Sequence, residues 1–377
     1  MLPHDNAMDK VQHSTKNSKK QQNVDEKAAE RERQKQIQTS DMPTKDEPMI
    51  RSVTESYNIG EELGRGSFGA VYRVKRVSDS KSYAMKCESV HVKKQILAHE
   101  AKVLQSLNLL KSVHFVQMID RGKVPNRFLF IILRLVGKNL WDLRTQELPN
   151  KKFTLNTALK IAVQTLAGIR DLHRVGYLHR DIKPPNFAIG RECDNAHHIV
   201  YVLDFGLCRK ICHKGVDLRT PREHCAFRGT TRYASMAAHE GKEQSRKDDL
   251  EAWWYMICEM IIHDLPWRAA KANEREKVYD AKQKLRSDDN ALKELFKKCP
   301  PEQKSPLDQM TAILSYLDGL CYASIPDYDY IHENIAFASA ANEFNDKTPL
   351  DWDKDHDFAG PKYKKNEEYI ISALLLP

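Results

Sequence analysis

Two short stretches, His179-Arg180-Asp181-Ile182-Lys183-Pro184-Pro185-Asn186 and Asp204-Phe205-Gly206, constrain this chain more than anything else in it. Their polar groups are useful only if a folded framework holds them within a few ångströms of one another. Asp181 offers a carboxylate to a hydroxyl proton, and Lys183 offers positive charge to a phosphate. Asn186 and Asp204 supply oxygen atoms for a divalent metal. This inventory suits transfer of a phosphoryl group from a nucleotide to an alcohol, a reaction that depends on positioning and charge stabilisation.

The framework must come from 377 residues, 41% of them hydrophobic, enough for one large or two smaller cores. No apolar run approaches the ~20 residues that span a bilayer. The longest, Phe128–Leu135 and Trp253–Ile262, fit buried elements. The N-terminus has no apolar signal core and the C-terminus no prenylation cysteine, so an intracellular protein is expected. That expectation is cytoplasmic, with the nucleus as the alternative, and includes no membrane partner. The 8 cysteines form no CxxC pair. Cys208, Cys212 and Cys225, with His213 and His224, match no zinc spacing and read as free thiols. A formal charge of +8 favours acidic or phosphorylated partners. No nucleic-acid module or aromatic platform accompanies it, so no nucleic-acid partner is expected.

Residues 1–56 are polar and charged and bury too little apolar area to offset ordering, so a disordered tail is expected there. Strand-like sequence begins at Tyr57 and runs to Leu63. A turn, Gly64-Arg65-Gly66-Ser67-Phe68-Gly69, separates it from Val71–Val74 and Tyr83–Lys86, two more alternating runs. A lone GxGxxG is a weak signal. Here β-branched and aromatic residues follow it, which points to a hairpin over phosphates and away from a dinucleotide fold. The glycines remove Cβ atoms, so backbone N–H groups can approach an anion. Leu97–Leu107 has helical spacing, and Phe128–Leu133 reads as a buried strand. From Trp141 helices dominate. Thr154–His173 carries one apolar face, while Asp248–Ile262 is apolar almost all round and reads as a central buried helix. Further helices are expected at Leu292–Phe296, at Met310–Tyr322 and after Pro326. The sequence beyond Asp353 is charged and reads as peripheral.

The order of these features is specific: glycine turn, Ala84-Met85-Lys86, Glu100 on a helix, the Asp181 loop, then Asp204-Phe205-Gly206. From Tyr57 to about Asp353 the chain resembles the eukaryotic protein kinases. Arg228-Gly229-Thr230-Thr231-Arg232-Tyr233-Ala234-Ser235, Glu243–Leu250 and Leu265-Pro266-Trp267 resemble the casein kinase 1 family. Gly176–Pro184, Asn186–Arg191, Phe227–Thr230 and Leu265–Arg268 resemble its tau-tubulin kinase branch. The resemblance implies an α+β, bilobal protein-kinase-like fold. A small, mainly antiparallel β N-lobe would span about 57–135 and a larger, mainly α-helical C-lobe about 136–353, with a short tail at 354–377. A monomer is expected.

It also implies roles. Asp181, Lys183, Lys86, Glu100 and Thr230 would form the catalytic set, with Glu100 positioning Lys86 through an ion pair. ATP would lie under Leu63, Gly64, Gly66, Ser67, Phe68 and Gly69. Val71 and Ala84 would cover the adenine and Ala188 would lie beneath it. Leu133 would be the gatekeeper, and Arg134-Leu135 the hinge. Asn186 and Asp204 would hold Mg²⁺, with Mn²⁺ as an alternative. Leu104, His179 and Phe205 would stack between the lobes, and Asp249 would hold the catalytic loop from below. Lys183 marks the serine/threonine pattern, so protein hydroxyls are the expected acceptors. Arg232 and Lys271 would form a basic pocket that prefers acidic or phosphorylated substrate sites. A cytoskeletal partner follows from the branch name alone. Two departures stand out: Trp254 replaces a small glycine, and Ala237 replaces the acidic residue ending the activation segment. Arg180 could meet a phosphate on Thr220 or Thr231. A pseudokinase or scaffold is the alternative, and the presence of Lys86, Asp181, Asn186 and Asp204 argues for the enzyme.

Overall fold

The computed structural model describes residues 40–44, 47–66, 69–93, 95–211, 218–288 and 290–365. The chain divides into two units, residues 1–98 with 119–133 and residues 99–118 with 134–377.

The smaller unit is built on β1 (Met49–Arg51), β2 (Ser56–Gly66), β3 (Gly69–Arg76) and β4 (Ser82–Ser89), joined by β5 (Met118–Val124) and β6 (Phe128–Arg134). They form one sheet in the order β1-β2-β3-β4-β6-β5, and the β1–β2, β2–β3 and β3–β4 pairs are antiparallel. Side chains alternate across a strand. On β3 and β4 the buried set is Ala70, Tyr72, Val74, Tyr83, Met85 and Cys87, packed with Phe128, Phe130 and Ile132 of β6. The opposite face carries Val71, Ala84 and Lys86, all half-buried, with Val71 directly opposite Lys86. A one-residue slip would exchange Lys86 for Met85 and bury a charge, so the apolar pattern fixes where the lysine points.

The N-terminal tail expected to reach Ser56 ends earlier than that. Met49, Ile50 and Arg51 pair with Asn58, Tyr57 and Ser56, and Met42 and Ile50 are buried in the same core. Arg127 donates to the carbonyls of Asp41 and Met42 and to Glu47. Two apolar side chains and a backbone ladder are enough to fix this segment. Residues 1–39 lie outside the described residues.

The larger unit takes in most of α1 (Leu97–Leu110), which precedes β5 in the chain. There follow α2 (Leu140–Asp142), α3 (Leu155–Arg174), β7 (Tyr177–Leu178), β8 (Phe187–Ile189), β9 (Val200–Val202) and β10 (Arg209–Lys210). The remaining helices are α4 (Met236–His239), α5 (Arg246–Ile262), α6 (Arg275–Ser287), α7 (Ala291–Phe296), α8 (Leu307–Asp318) and α9 (Tyr328–Ala341). Thr154 caps α3 by accepting the Thr157 N–H at 3.3 Å, and Gly176 at φ +81° turns the chain after the helix ends. α5 is buried on all sides, as its composition suggests. Trp254 is accommodated there: fully buried, it donates its indole N–H to the Met310 carbonyl of α8 at 2.8 Å. This is the α+β plan of an antiparallel sheet and a helical body. Among the described residues no helix is long and apolar enough to cross a membrane.

The stretch beyond Asp353 is not peripheral as far as it is described. Arg170 of α3 lies over the Tyr363 ring at 4.8 Å and donates to the Lys364 carbonyl. Tyr363 stacks on His332 of α9 at 3.9 Å, and its hydroxyl donates to Asp329 at 2.8 Å. One aromatic ring among many charges gives this segment its anchor.

Candidate active site

The loop between β7 and β8 takes its shape from a buried carboxylate. Asp249, in the first turn of α5, accepts the His179 N–H at 2.7 Å and the Arg180 N–H at 2.8 Å. These bonds hold Arg180 at φ +64°, a region that non-glycine residues rarely enter. His173 of α3 meets the same carboxylate at 2.9 Å, and its other ring nitrogen meets the Tyr328 hydroxyl at 2.6 Å. Burial pushes the His173 pKa down. Burial also works to raise the Asp249 carboxyl, but the His173 bond and the loop N–H groups outweigh it and hold that pKa low. Asp249 is therefore a buried anion that organises the loop.

His179 adds the next constraint. One ring nitrogen meets the Leu203 carbonyl at 3.0 Å, and the other lies 3.3 Å from the Asp181 N–H. The first must donate, so the second accepts. Phe205, also buried, packs against His179 and Phe115 with ring centroids 6.0 Å away in each case.

The chemistry-bearing groups converge on Asp181. Lys183 Nζ lies 2.6 Å from its Oδ2, and Thr230 donates its hydroxyl to Oδ1 at 2.8 Å. Asn186 Nδ2 donates to the Asp181 carbonyl at 2.8 Å and approaches Oδ2 at 3.4 Å. Because the nitrogen must face these two oxygens, the amide turns its Oδ1 end away from Asp181. That orientation suits a hard cation. The Leu203 N–H donates to the Asn186 carbonyl at 2.8 Å, which sets Asp204 beside that asparagine. Asp204 stands at φ +61°, and its exposed carboxylate weakly caps the Gly206 N–H at 3.4 Å. An amide oxygen and an exposed carboxylate on adjacent chain ends fit Mg²⁺, which takes few protein oxygens and keeps phosphate and water in its shell.

The segment bearing Thr230 reaches Asp181 because Gly229 precedes it. At φ +110°, a Cβ there would sit 2.9 Å from the Arg180 carbonyl. Farther along, Glu243 is buried between Arg209 at 3.1 Å and Arg222 at 2.6 Å, and the Cys225 thiol lies 3.5 Å from it. Arg180 donates twice to the Leu207 carbonyl, at 2.9 and 2.8 Å. Thr231 turns inward, donating to the Ala272 carbonyl at 2.9 Å, so its hydroxyl faces the interior and not an incoming phosphate. Thr220 is exposed. Cys212 and His213 lie outside the described residues.

Other expected positions fall as follows. Glu100 is buried on α1 in the larger unit, not a solvated helix charge. Ala188 is buried on β8 opposite Tyr201, and it bridges to Asn139. Leu135 is buried and Arg134 exposed; the Arg134 N–H donates to the Gln117 carbonyl at 3.1 Å. Leu104 is fully buried. In the smaller unit Leu133 is half-buried at the end of β6, and Val71, Ala84 and Lys86 share the open face of the sheet. Leu63, Gly64 and Gly66 lie on β2; a Cβ at either of these glycines would meet nothing within 4 Å. Gly69 is different: a Cβ there would lie 1.7 Å from the Cys87 carbonyl, so only glycine lets β3 start so close to β4. Ser67 and Phe68 lie outside the described residues. Arg232 is already engaged, 3.2 Å from buried Glu259 and 3.2 Å from the Arg268 carbonyl. Lys271 adjoins Ala272, so the Thr231–Ala272 bond brings the two basic residues' loops side by side.

Residues 57–316 match the protein kinase domain family. The chain belongs to the protein kinase family. Similar proteins include a probable serine/threonine-protein kinase of Dictyostelium discoideum, 33% identical over 79% of this chain and 56% of that protein. Serine/threonine-protein kinase spe-6 of Caenorhabditis elegans is 33% identical over 80% of this chain and 76% of its own length. The chain thus spans little more than half of the first relative and about three quarters of the second. Both of these relatives carry names of serine/threonine kinases, and the protein kinase family generally uses ATP and Mg²⁺ on protein substrates. Sequence reasoning missed three residues that shape this kinase domain's site: Glu243, Glu259 and Lys282. Each acts on a segment far from it in the chain.

Proposed function

We propose that this protein transfers the γ-phosphoryl group of ATP to serine or threonine hydroxyls of protein substrates. The observation that carries the reading is the Asp181 carboxylate, held at one oxygen by Thr230 and at the other by Lys183. Asp181 orients the acceptor hydroxyl and takes its proton, while Lys183 stands ready to neutralise charge on the transferred group. Asn186 and Asp204 would hold Mg²⁺, which supplies charge neutralisation on the triphosphate when bound. Lys86 and the glycines Gly64, Gly66 and Gly69 would serve the phosphates, with Glu100 as the partner that resemblance assigns to Lys86. By the resemblance, Val71 and Ala84 would cover the adenine and Ala188 would lie beneath it, with Leu133 as gatekeeper and Arg134-Leu135 as the hinge.

Within the family we place the chain with the casein kinase 1 group, nearest its tau-tubulin kinase branch. Ala237 and the Arg228–Ser235 sequence support this. A preference for acidic or phosphorylated sites belongs to the same reading. Arg232 would serve it by exchanging Glu259 for a substrate anion, with Lys271 beside it, and the adjacency of their loops supports that. The experiment is phosphorylation of serine, threonine and tyrosine peptides, each with and without a neighbouring phosphate. Transfer to serine and threonine peptides supports the reading, and transfer to tyrosine alone contradicts it. Arg232→Ala with Lys271→Ala should lose activity selectively on primed peptides; equal losses on both kinds would remove the pocket.

A further inference from the structure

Most residues of helix α6 are charged or polar, yet Lys282 in its middle has no exposed surface. Val278 and Leu285, one turn to either side, are buried with it. A lysine in that position needs partners for its donors. Its Nζ lies 2.6 Å from the Ala234 carbonyl, 3.3 Å from the Thr231 carbonyl and 3.4 Å from His239 Nε2. The rings of Tyr255 and Trp267 lie 4.4 and 5.4 Å from it. An ammonium has three donors, and here it meets three acceptors. His239 can accept because burial, and then the Lys282 charge, push its pKa down to about 4.

The carbonyls it holds belong to the activation segment. Thr230 accepts the N–H groups of Tyr233 and Ala234 at 2.9 Å each, so Thr230–Ala234 is a closed turn. One end of the turn rests on Lys282, and the other places the Thr230 hydroxyl on Asp181. Ala237 supplies no carboxylate of its own; farther along the segment the Met236 N–H donates to Glu251 at 3.1 Å. Resting on the kinase reading above, we infer that Lys282 is a positioning residue for phosphoryl transfer: its ammonium fixes the turn that holds Thr230 against Asp181.

Titration gives the inference a second handle. Burial pushes the Lys282 pKa down to about 7, so the ammonium loses its third donor near neutral pH. The titratable groups facing it are His239 from α4, Glu251 and Tyr255 from α5, and Arg286 on α6 itself. Between about 7 and the usual lysine value the unfolded chain binds the extra proton. From this group alone, stability therefore rises with pH while the clamp weakens.

The test uses the full chain with Lys282→Met, Lys282→Arg and an Asp181→Asn control, following kcat, KM for peptide and ATP, and melting temperature. Lys282→Met should lower kcat about tenfold with KM for ATP within about twofold, and Lys282→Arg should recover part of the loss. Wild-type kcat should fall between about pH 6 and 8 without a fall in melting temperature. A folded Lys282→Met enzyme with kcat within about twofold of wild type overturns the inference. If that variant does not fold, a wild-type kcat that is flat across the same pH range overturns it. Transfer that survives Asp181→Asn would instead sink the kinase reading of the site.

Discussion

Thr230 donates its hydroxyl to Oδ1 of Asp181 at 2.8 Å, while Lys183 lies 2.6 Å from Oδ2. The activation segment thus fixes the plane of the carboxylate on which the chemistry depends. A hydrogen bond to a charged group is worth about 1.5–3 kcal/mol. Thr230→Ala should therefore lower kcat/KM about tenfold or more with little change in melting temperature. Thr230→Ser should restore most of it. Unchanged kinetics in the alanine variant would show that Asp181 does not need this support.

Gly229 lets that contact form. With φ at +110° and a prospective Cβ only 2.9 Å from the Arg180 carbonyl, Gly229→Ala must push the segment off the loop. The strain is about 1–3 kcal/mol. Steady-state kinetics should show a larger loss than Thr230→Ala, because the whole Thr230 turn moves. A variant with wild-type kcat would mean that the close approach has no catalytic consequence.

Glu243 answers to pH. Burial raises its carboxyl, but the Arg222 hydrogen bond and the Arg209 charge bring its pKa below the usual value. A carboxylate with a depressed folded pKa contributes stability above its unfolded pKa of about 4.3 and loses it as pH falls further. Glu243→Gln should lower the melting temperature at pH 7, by about 5 °C for a loss of about 2 kcal/mol. The gap from wild type should close in acid. A gap independent of pH would contradict the ion-pair role.

The C-terminal segment is a structural strap. Truncation after Asp353 removes the Tyr363 contacts with Arg170, His332 and Asp329. Each ring contact of this kind contributes about 0.5–1.5 kcal/mol, so thermal melting should drop by several degrees. An unchanged melt would show that these contacts add nothing in solution.

What the sequence made legible was local. The residues of the Asp181 loop are neighbours in the chain, so their convergence could be anticipated from spacing. The alternation along β3 and β4 likewise put Lys86 on the face opposite Met85. The rest depends on contacts across long separations. Lys282 sits in a mostly charged helix, and nothing nearby in the sequence shows the carbonyls of Thr231 and Ala234 that it meets. Arg232 looked open to an anion because its partner Glu259 sits inside an otherwise apolar helix. Met42, Ile50 and Tyr363 anchor segments whose composition is polar. In these last segments one or two apolar or aromatic side chains outweigh the charges around them.

The central claim is that Asp181 is the group through which the acceptor hydroxyl reacts. Asp181→Asn keeps the shape of the side chain and an oxygen for Thr230 but removes the base. The direct test is single-turnover phosphate transfer to a serine peptide, alongside binding of a fluorescent ATP analogue. The account predicts transfer reduced by at least about a thousandfold with nucleotide affinity within about threefold of wild type. Transfer at the wild-type rate would contradict it.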